Sequence, residues 1–122
     1  MPEGPLRIET RHGSRDGQLI LRLSGPLTLA NVFEFQNLVR ADESACLFID
    51  LSEVPYIDSA GIGALMGTYV SGERRGRQLV LVGVSERVRQ ALQVTKVVQY
   101  FTMAATQQEA ESAVSSTASR VQ

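Results

Sequence analysis

The run from Phe48 to Gly67, FIDLSEVPYIDSAGIGALMG, changes its hydrophobic period part-way along, and that change constrains the rest of the chain. Leu47-Phe48-Ile49-Asp50-Leu51 is a short apolar stretch of the kind that forms a buried strand. Pro55 marks a turn. Beyond Asp58-Ser59-Ala60-Gly61-Ile62-Gly63, the residues Ile62, Leu65, Met66, Tyr69 and Val70 recur at i, i+3, i+4, i+7 and i+8. This spacing predicts a helix lying on a sheet, with those residues as its core stripe. Ser59 therefore falls at or just before a helix N-terminus, at the end of a strand. Backbone N–H groups are unpaired there, and α/β sheets present their functional groups at that end.

The flanking segments supply the other elements. Leu6 to Thr10 alternates apolar and polar residues, and Gln18 to Ser24 does so more clearly, with Leu19, Leu21 and Leu23 on one face. The turn-rich stretch between them, His12 to Gly17, predicts an antiparallel hairpin with a long loop. Gly25-Pro26-Leu27 closes the second strand, and Thr28 is the expected N-cap of a helix to about Arg40. Leu29, Val32, Phe33, Phe35, Leu38 and Val39 form a wider apolar stripe than one helix face needs, so one of them is expected to be exposed or to touch the loops. The central helix should end at Gly72 to Arg77, with Gly76 as a left-handed cap. Gln78 to Val84 predicts a second buried parallel strand, and Ser85 caps a helix that turns Val88, Ala91 and Leu92 inward. A short last strand is expected at Tyr100-Phe101. A terminal helix follows from the capping box Thr106-Gln107-Gln108-Glu109, with Ala110, Ala113 and Val114 as a weak stripe. The order implies one α/β domain over 6–114. Its mixed sheet comprises an antiparallel hairpin followed by parallel βαβ units, packed with about four helices. Residues 1–5 and 115–122 are expected to be flexible tails.

Composition removes several function classes. The 122 residues are 43% hydrophobic and 20% charged with a net charge of -1, so there is no electrostatic reason to expect nucleic acid. No apolar run approaches the roughly 20 residues that span a bilayer. The N-terminus lacks a secretory pattern, and the single cysteine cannot form an internal disulfide; a cytoplasmic protein is the expectation. Enzyme chemistry has little support. A serine hydrolase elbow reads G-x-S-x-G, whereas Ser59 follows Ile57-Asp58, and the one histidine, His12, lies in the expected hairpin loop and is given no role. Phosphate- and dinucleotide-binding loops are missing, and Asp50, Glu53 and Asp58 lack metal-ligand spacing with His or Cys. Cys46 adjoins a buried run and reads as a small core side chain. No catalytic residue, cofactor or metal is expected. Arg74, Arg75 and Arg77 suit a helix C-terminus better than a patch for an acidic partner.

Ser59 has a further reading. Serine at a helix start most often simply caps it. Here Ala60, Gly63, Ala64 and Gly67 form a second stripe of small residues, and Gly61 adds to the bareness of the helix start, so another surface could approach closely. A phosphate on Ser59 would meet backbone donors and the positive helix end, while its charge would change any interface centred there.

At these residues the chain resembles a known family. Ile57-Asp58-Ser59-Ala60-Gly61-Ile62-Gly63 is similar to the D-S-[SAT]-G-[LI]-G signature of STAS domains of the anti-sigma factor antagonist family. The likeness extends to Leu23-Ser24-Gly25, to Phe48 to Ser52, and to Gly76 to Val84 with its following helix. The resemblance implies an antagonist phosphorylated at Ser59 by a partner that is both an anti-sigma factor and a serine kinase of the ATPase fold. The unphosphorylated form would bind that partner and release a sigma factor, and a PP2C-type phosphatase would restore it. By position, Asp58 would shape the site, Gly61 and Gly63 would admit the kinase, and Ala60, Gly67 and Thr28 would complete the contact surface. The chain departs from the family where Pro26-Leu27-Thr28 replaces a frequent Glu-Leu-Asp. The alternative roles are a scaffold STAS domain in a stress-signalling assembly and the STAS subunit of a lipid transporter.

Overall fold

The structure is a computed structural model that describes residues 5–121, with side chains described through Val114. Its strands are β1 (Arg7–His12), β2 (Gln18–Ser24), β3 (Cys46–Glu53), β4 (Gln78–Val82) and β5 (Thr102–Ala104). They form one five-stranded sheet in the order β1-β2-β3-β4-β5. The β1–β2 pair is antiparallel, and β2–β3, β3–β4 and β4–β5 are parallel. This is the expected mixed sheet, and its four helices are α1 (Val32–Ala41), α2 (Ser59–Arg75), α3 (Glu86–Val94) and α4 (Gln107–Val121).

Strand alternation divides the core between the two faces of the sheet. Leu19, Leu21 and Leu23 of β2, with Leu47, Ile49 and Leu51 of β3, meet the inward faces of α1, α2 and α3. On the opposite face, Ile20, Phe48, Val80 and Val82 lie under Ala110 and Val114 of α4. Strands buried on both faces read as continuous apolar runs, which is why β3 and β4 were so visible in the sequence. Cys46 is buried on the α4 side, as expected of a core side chain, and burial pushes its thiol up to about 11.

Several boundaries differ from expectation, each for a local reason. Thr28 does not cap α1, which begins at Val32. Asn31 Oδ1 accepts the Thr28 N–H (3.0 Å) and the Thr28 hydroxyl accepts the Ala30 N–H (3.3 Å), closing a turn ahead of the helix. His12 ends β1 opposite Leu19 instead of lying in the loop. The last strand is Thr102–Ala104, because Val98–Tyr100 forms a 3-10 turn and Phe101 packs edge-on against Tyr69. Three caps agree with the sequence. Ser85 accepts from Val88 N–H, Thr106 accepts from Glu109 N–H, and Gly76 is left-handed at φ 71°. The expected loose ends at 1–5 and 115–122 fall largely on residues 1–4 and 122 and on the side chains of 115–121, all outside the described residues; the α4 backbone itself continues past Val114.

The basic segment after α2 is mostly structural. Arg77 is buried, pairs with the Asp42 carboxylate and donates from Nε to the Ser44 carbonyl at 2.8 Å. Arg75 donates to the Asp42 carbonyl at 3.0 Å. Burial lowers the affinity of Arg77 for its proton, and the neighbouring Asp42 charge opposes that shift. Both arginines therefore tie the α1–β3 connection to the end of α2.

Candidate functional site

The site is built where the chain leaves β2 and β3 at the same end of the sheet. Residues 25–31 and 54–58 run side by side there. Leu27 and Ile57 form an isolated parallel bridge, Leu27 N–H donates to the Tyr56 carbonyl (3.3 Å), and Asp58 N–H donates to the Leu27 carbonyl (3.3 Å). Asp58 is the N-cap of α2. Its Oδ1 accepts the Gly61 N–H at 2.9 Å, and its Oδ2 accepts the Leu29 N–H at 3.1 Å. One carboxylate thus satisfies a helix-end donor and fixes the loop before α1, so the two segments are held as one surface.

Because Asp58 is the cap, Ser59 is not needed for that purpose. Ser59 is the first residue of α2 and is exposed. Gly63, Gly67 and Val70 are exposed further along the same helix, at i+4, i+8 and i+11 from the serine. These spacings place them on one face. A Cβ added at Gly63 or Gly67 would meet nothing within 4 Å.

The small-residue stripe expected from the sequence divides in two. Gly63 and Gly67 are open, Ala60 is half-buried, and Ala64 is buried in the core. Gly61 also faces inward: a Cβ there would lie 2.4 Å from the Leu27 carbonyl oxygen and 3.2 Å from Ile57 Cβ. Its glycine is required by the approach of the loop backbone, which leaves no open surface at that position for a partner. The core stripe of α2 is likewise rotated from expectation. Gly61, Ala64, Leu65, Thr68 and Gly72 are buried, Ile62, Met66 and Tyr69 pack at its margin, and Val70 is 48% exposed. Leu65 fills the middle of the buried face, while Gly61 and Gly72 stand where neighbouring backbone leaves no room for a larger residue.

Two residues of the wide α1 stripe stand exposed where its excess width predicts one. Leu29 and Phe33, both placed on the helix stripe, are 65% and 64% exposed. Val32, Phe35 and Val39 suffice to bury the inner face of α1. The signal was present as the excess width of the apolar stripe, but the sequence could not say which side chains were surplus. Thr28 is half-buried within the turn that carries Leu29.

The arrangement defines a class: a one-sheet α/β domain whose exposed serine opens a helix of which the neighbouring aspartate is the cap. The chain belongs to the STAS domain family, whose model matches residues 7–110. It is 37% identical over 68 residues to the anti-sigma-B factor antagonist of Listeria monocytogenes, a match that takes in 56% of this chain and 60% of that relative. The chain therefore aligns with less than two thirds of that relative's length. The anti-sigma-B factor antagonist of Staphylococcus aureus is 28% identical over 93 residues, covering 74% of this chain and 84% of the relative. The Bacillus cell fate determinant SpoIIAA, an anti-sigma factor antagonist, has been solved unphosphorylated and phosphorylated. The two structures superpose with TM-scores of 0.75 and 0.70 at 19% and 18% identity, covering 90% and 88% of this chain and 97% and 99% of SpoIIAA. At that identity the likeness is one of fold. No helix among the described residues is long and apolar enough to cross a membrane.

Proposed function

We propose that this chain is an anti-sigma factor antagonist whose binding to its partner is switched by phosphorylation of Ser59. The observation that carries the reading is the division of labour at the start of α2. Asp58 caps the helix through Gly61 N–H, so the exposed Ser59 hydroxyl is left without a structural task. Membership of the STAS family and the names of the relatives support the same reading.

The partner is an anti-sigma factor with serine kinase activity, and a PP2C-type phosphatase reverses the modification. The unphosphorylated surface of Ser59, Gly63 and Gly67 carries little side-chain bulk, which permits close docking. A phosphate on Ser59 adds roughly two negative charges at the centre of that contact. Without a cationic group opposite, burying it costs several kcal/mol, or roughly a hundredfold or more in affinity. The fold tolerates the group, because a helix N-terminus favours negative charge.

The test is titration of the purified chain against the anti-sigma factor kinases of its native organism, with Ser59 phosphorylation read by mass spectrometry. Wild type and Ser59→Ala should bind one of them, and Ser59→Asp should bind it more weakly, with incorporated phosphate confined to Ser59. Equal binding by all three forms would refute the switch and favour a scaffold domain.

A further inference from the structure

Leu29 and Phe33 are exposed apolar side chains that the fold does not use. Their position relative to Ser59 is fixed by hydrogen bonds. Leu29 N–H donates to the carboxylate of Asp58, the residue before Ser59, at 3.1 Å. Val32 N–H donates to the Thr28 carbonyl at 2.9 Å, so Leu29 lies in a helical turn and Phe33 follows one turn later. The turn that carries Leu29 thus runs directly into the first turn of α1, which carries Phe33. One and two further turns along α1, Gln36 and Arg40 line a groove whose other wall is Ala64 and Gly67 of α2. The apolar pair therefore stands beside Ser59 at the head of the α1–α2 groove.

A protein that docks on Ser59 covers this pair as well. A standard interface takes about 800 Å² from each partner, a disc of roughly 16 Å radius. Leu29 is one hydrogen bond from the residue beside the serine, well inside that disc. Buried Leu or Phe at the centre of an interface contributes affinity only if the partner offers an apolar recess; against a polar surface it would leave desolvated groups unpaired.

We propose that Leu29 and Phe33 are the apolar anchors by which the anti-sigma factor kinase recognises this chain, the kinase presenting an apolar recess beside the segment that covers Ser59. The inference rests on the reading of Ser59 given above. It divides the interface into two parts. The apolar pair supplies affinity that does not depend on phosphorylation, and Ser59 supplies the charge that breaks the contact.

The experiment titrates the full chain against the kinase that the Ser59 series identifies, using Leu29→Gln, Phe33→Gln, the double variant and Val94→Gln. Val94, an apolar residue 79% exposed at the end of α3 and on neither α1 nor α2, is the control. Glutamine retains helix propensity, and both sites are exposed, so the melting temperature should stay within about 2 °C of wild type. Each single variant should bind about tenfold more weakly and the double variant about a hundredfold, with Val94→Gln unchanged. If Ser59→Asp weakens binding while the Leu29 and Phe33 variants bind like wild type, the anchor assignment is overturned and the switch stands. If Ser59→Asp binds like wild type, the switch fails and the Leu29 and Phe33 titrations still decide the anchors; if no kinase binds, both readings are overturned. Sedimentation of the chain alone provides the remaining outcome: a dimer dissociated by the double variant would assign the pair to a second copy and overturn the proposal.

Discussion

Alanine at Gly61 and alanine at Gly67 add the same methyl group to the same helix, and the structure requires opposite outcomes. Gly67 is exposed, and a Cβ there has nothing within 4 Å. Gly67→Ala should therefore show the intrinsic helix preference of alanine over glycine, about 0.8–1 kcal/mol of added stability, arising chiefly from the reduced freedom of the unfolded chain. At Gly61 the same atom would lie 2.4 Å from the Leu27 carbonyl oxygen, about 1 Å inside ordinary contact. That carbonyl cannot retreat freely, since it accepts Asp58 N–H, and Leu27 N–H is itself bonded to Tyr56. Overpacking costs about 1–3 kcal/mol, and the Asp58–Leu27 bond adds about 1 kcal/mol if it breaks. Set against a propensity gain below 1 kcal/mol, Gly61→Ala should lose about 2 kcal/mol. Urea unfolding followed by circular dichroism, at constant m-value, reads both numbers and should separate the variants by about 3 kcal/mol. A Gly61→Ala variant as stable as wild type would refute the packing argument. So would a Gly67→Ala variant destabilised by about 1 kcal/mol or more.

Three further outcomes follow from the same geometry. Asp58→Ala removes both the α2 cap and the tie to Leu29 N–H and should cost about 2 kcal/mol in denaturant melts, whereas Asp58→Asn, which keeps a capping oxygen, should cost less than about 1 kcal/mol. Arg77→Met leaves the Ser44 carbonyl without its donor and strips the Asp42 carboxylate of its cation, leaving it only the Ser44 N–H and hydroxyl; with Asp42 partly solvated, the loss should be about 2–3 kcal/mol, and Arg77→Lys should recover only part of it because one ammonium cannot span both acceptors. Cys46 titrates near 9.0 when unfolded and is pushed up to about 11 when folded by burial, against the opposing charge of Arg77. Its contribution to stability is complete below pH 9.0, falls as pH rises and is gone above about 11. The stability difference between wild type and Cys46→Ala should accordingly shrink by about 2–3 kcal/mol across that interval in pH-dependent urea melts.

Much of the architecture was legible because it depends on patterns that are local in sequence. Apolar runs at Leu47–Leu51 and Leu79–Val82 suit strands buried on both faces, and Ser85, Gly76 and Thr106 mark helix ends through short-range bonds to their own backbone. The order of those elements dictates a mixed sheet. The D-S-A-G-I-G run likewise places Ser59 at the start of a helix by local pattern alone.

What the sequence left open were choices among residues of equal local fitness. Asp58 and Ser59 are both good capping residues, and only the arrival of Leu29 N–H at the second carboxylate oxygen favours the aspartate and leaves the serine exposed. Gly61, Gly63 and Gly67 are indistinguishable as letters. The Leu27 carbonyl, brought over by the parallel pairing of 25–31 with 54–58, makes the first a packing requirement while the other two stay bare. Leu29 and Phe33 satisfy helical periodicity as well as Val32 and Phe35 do, but α1 has one inner face, and the sheet beneath it buries only the latter pair. The sequence by itself determined which elements form and in what order, because hydrogen bonds and hydrophobic period act over a few residues. Which side chains remain at the surface beside Ser59 was decided by tertiary structure alone, because exposure depends on the elements that arrive from elsewhere in the chain.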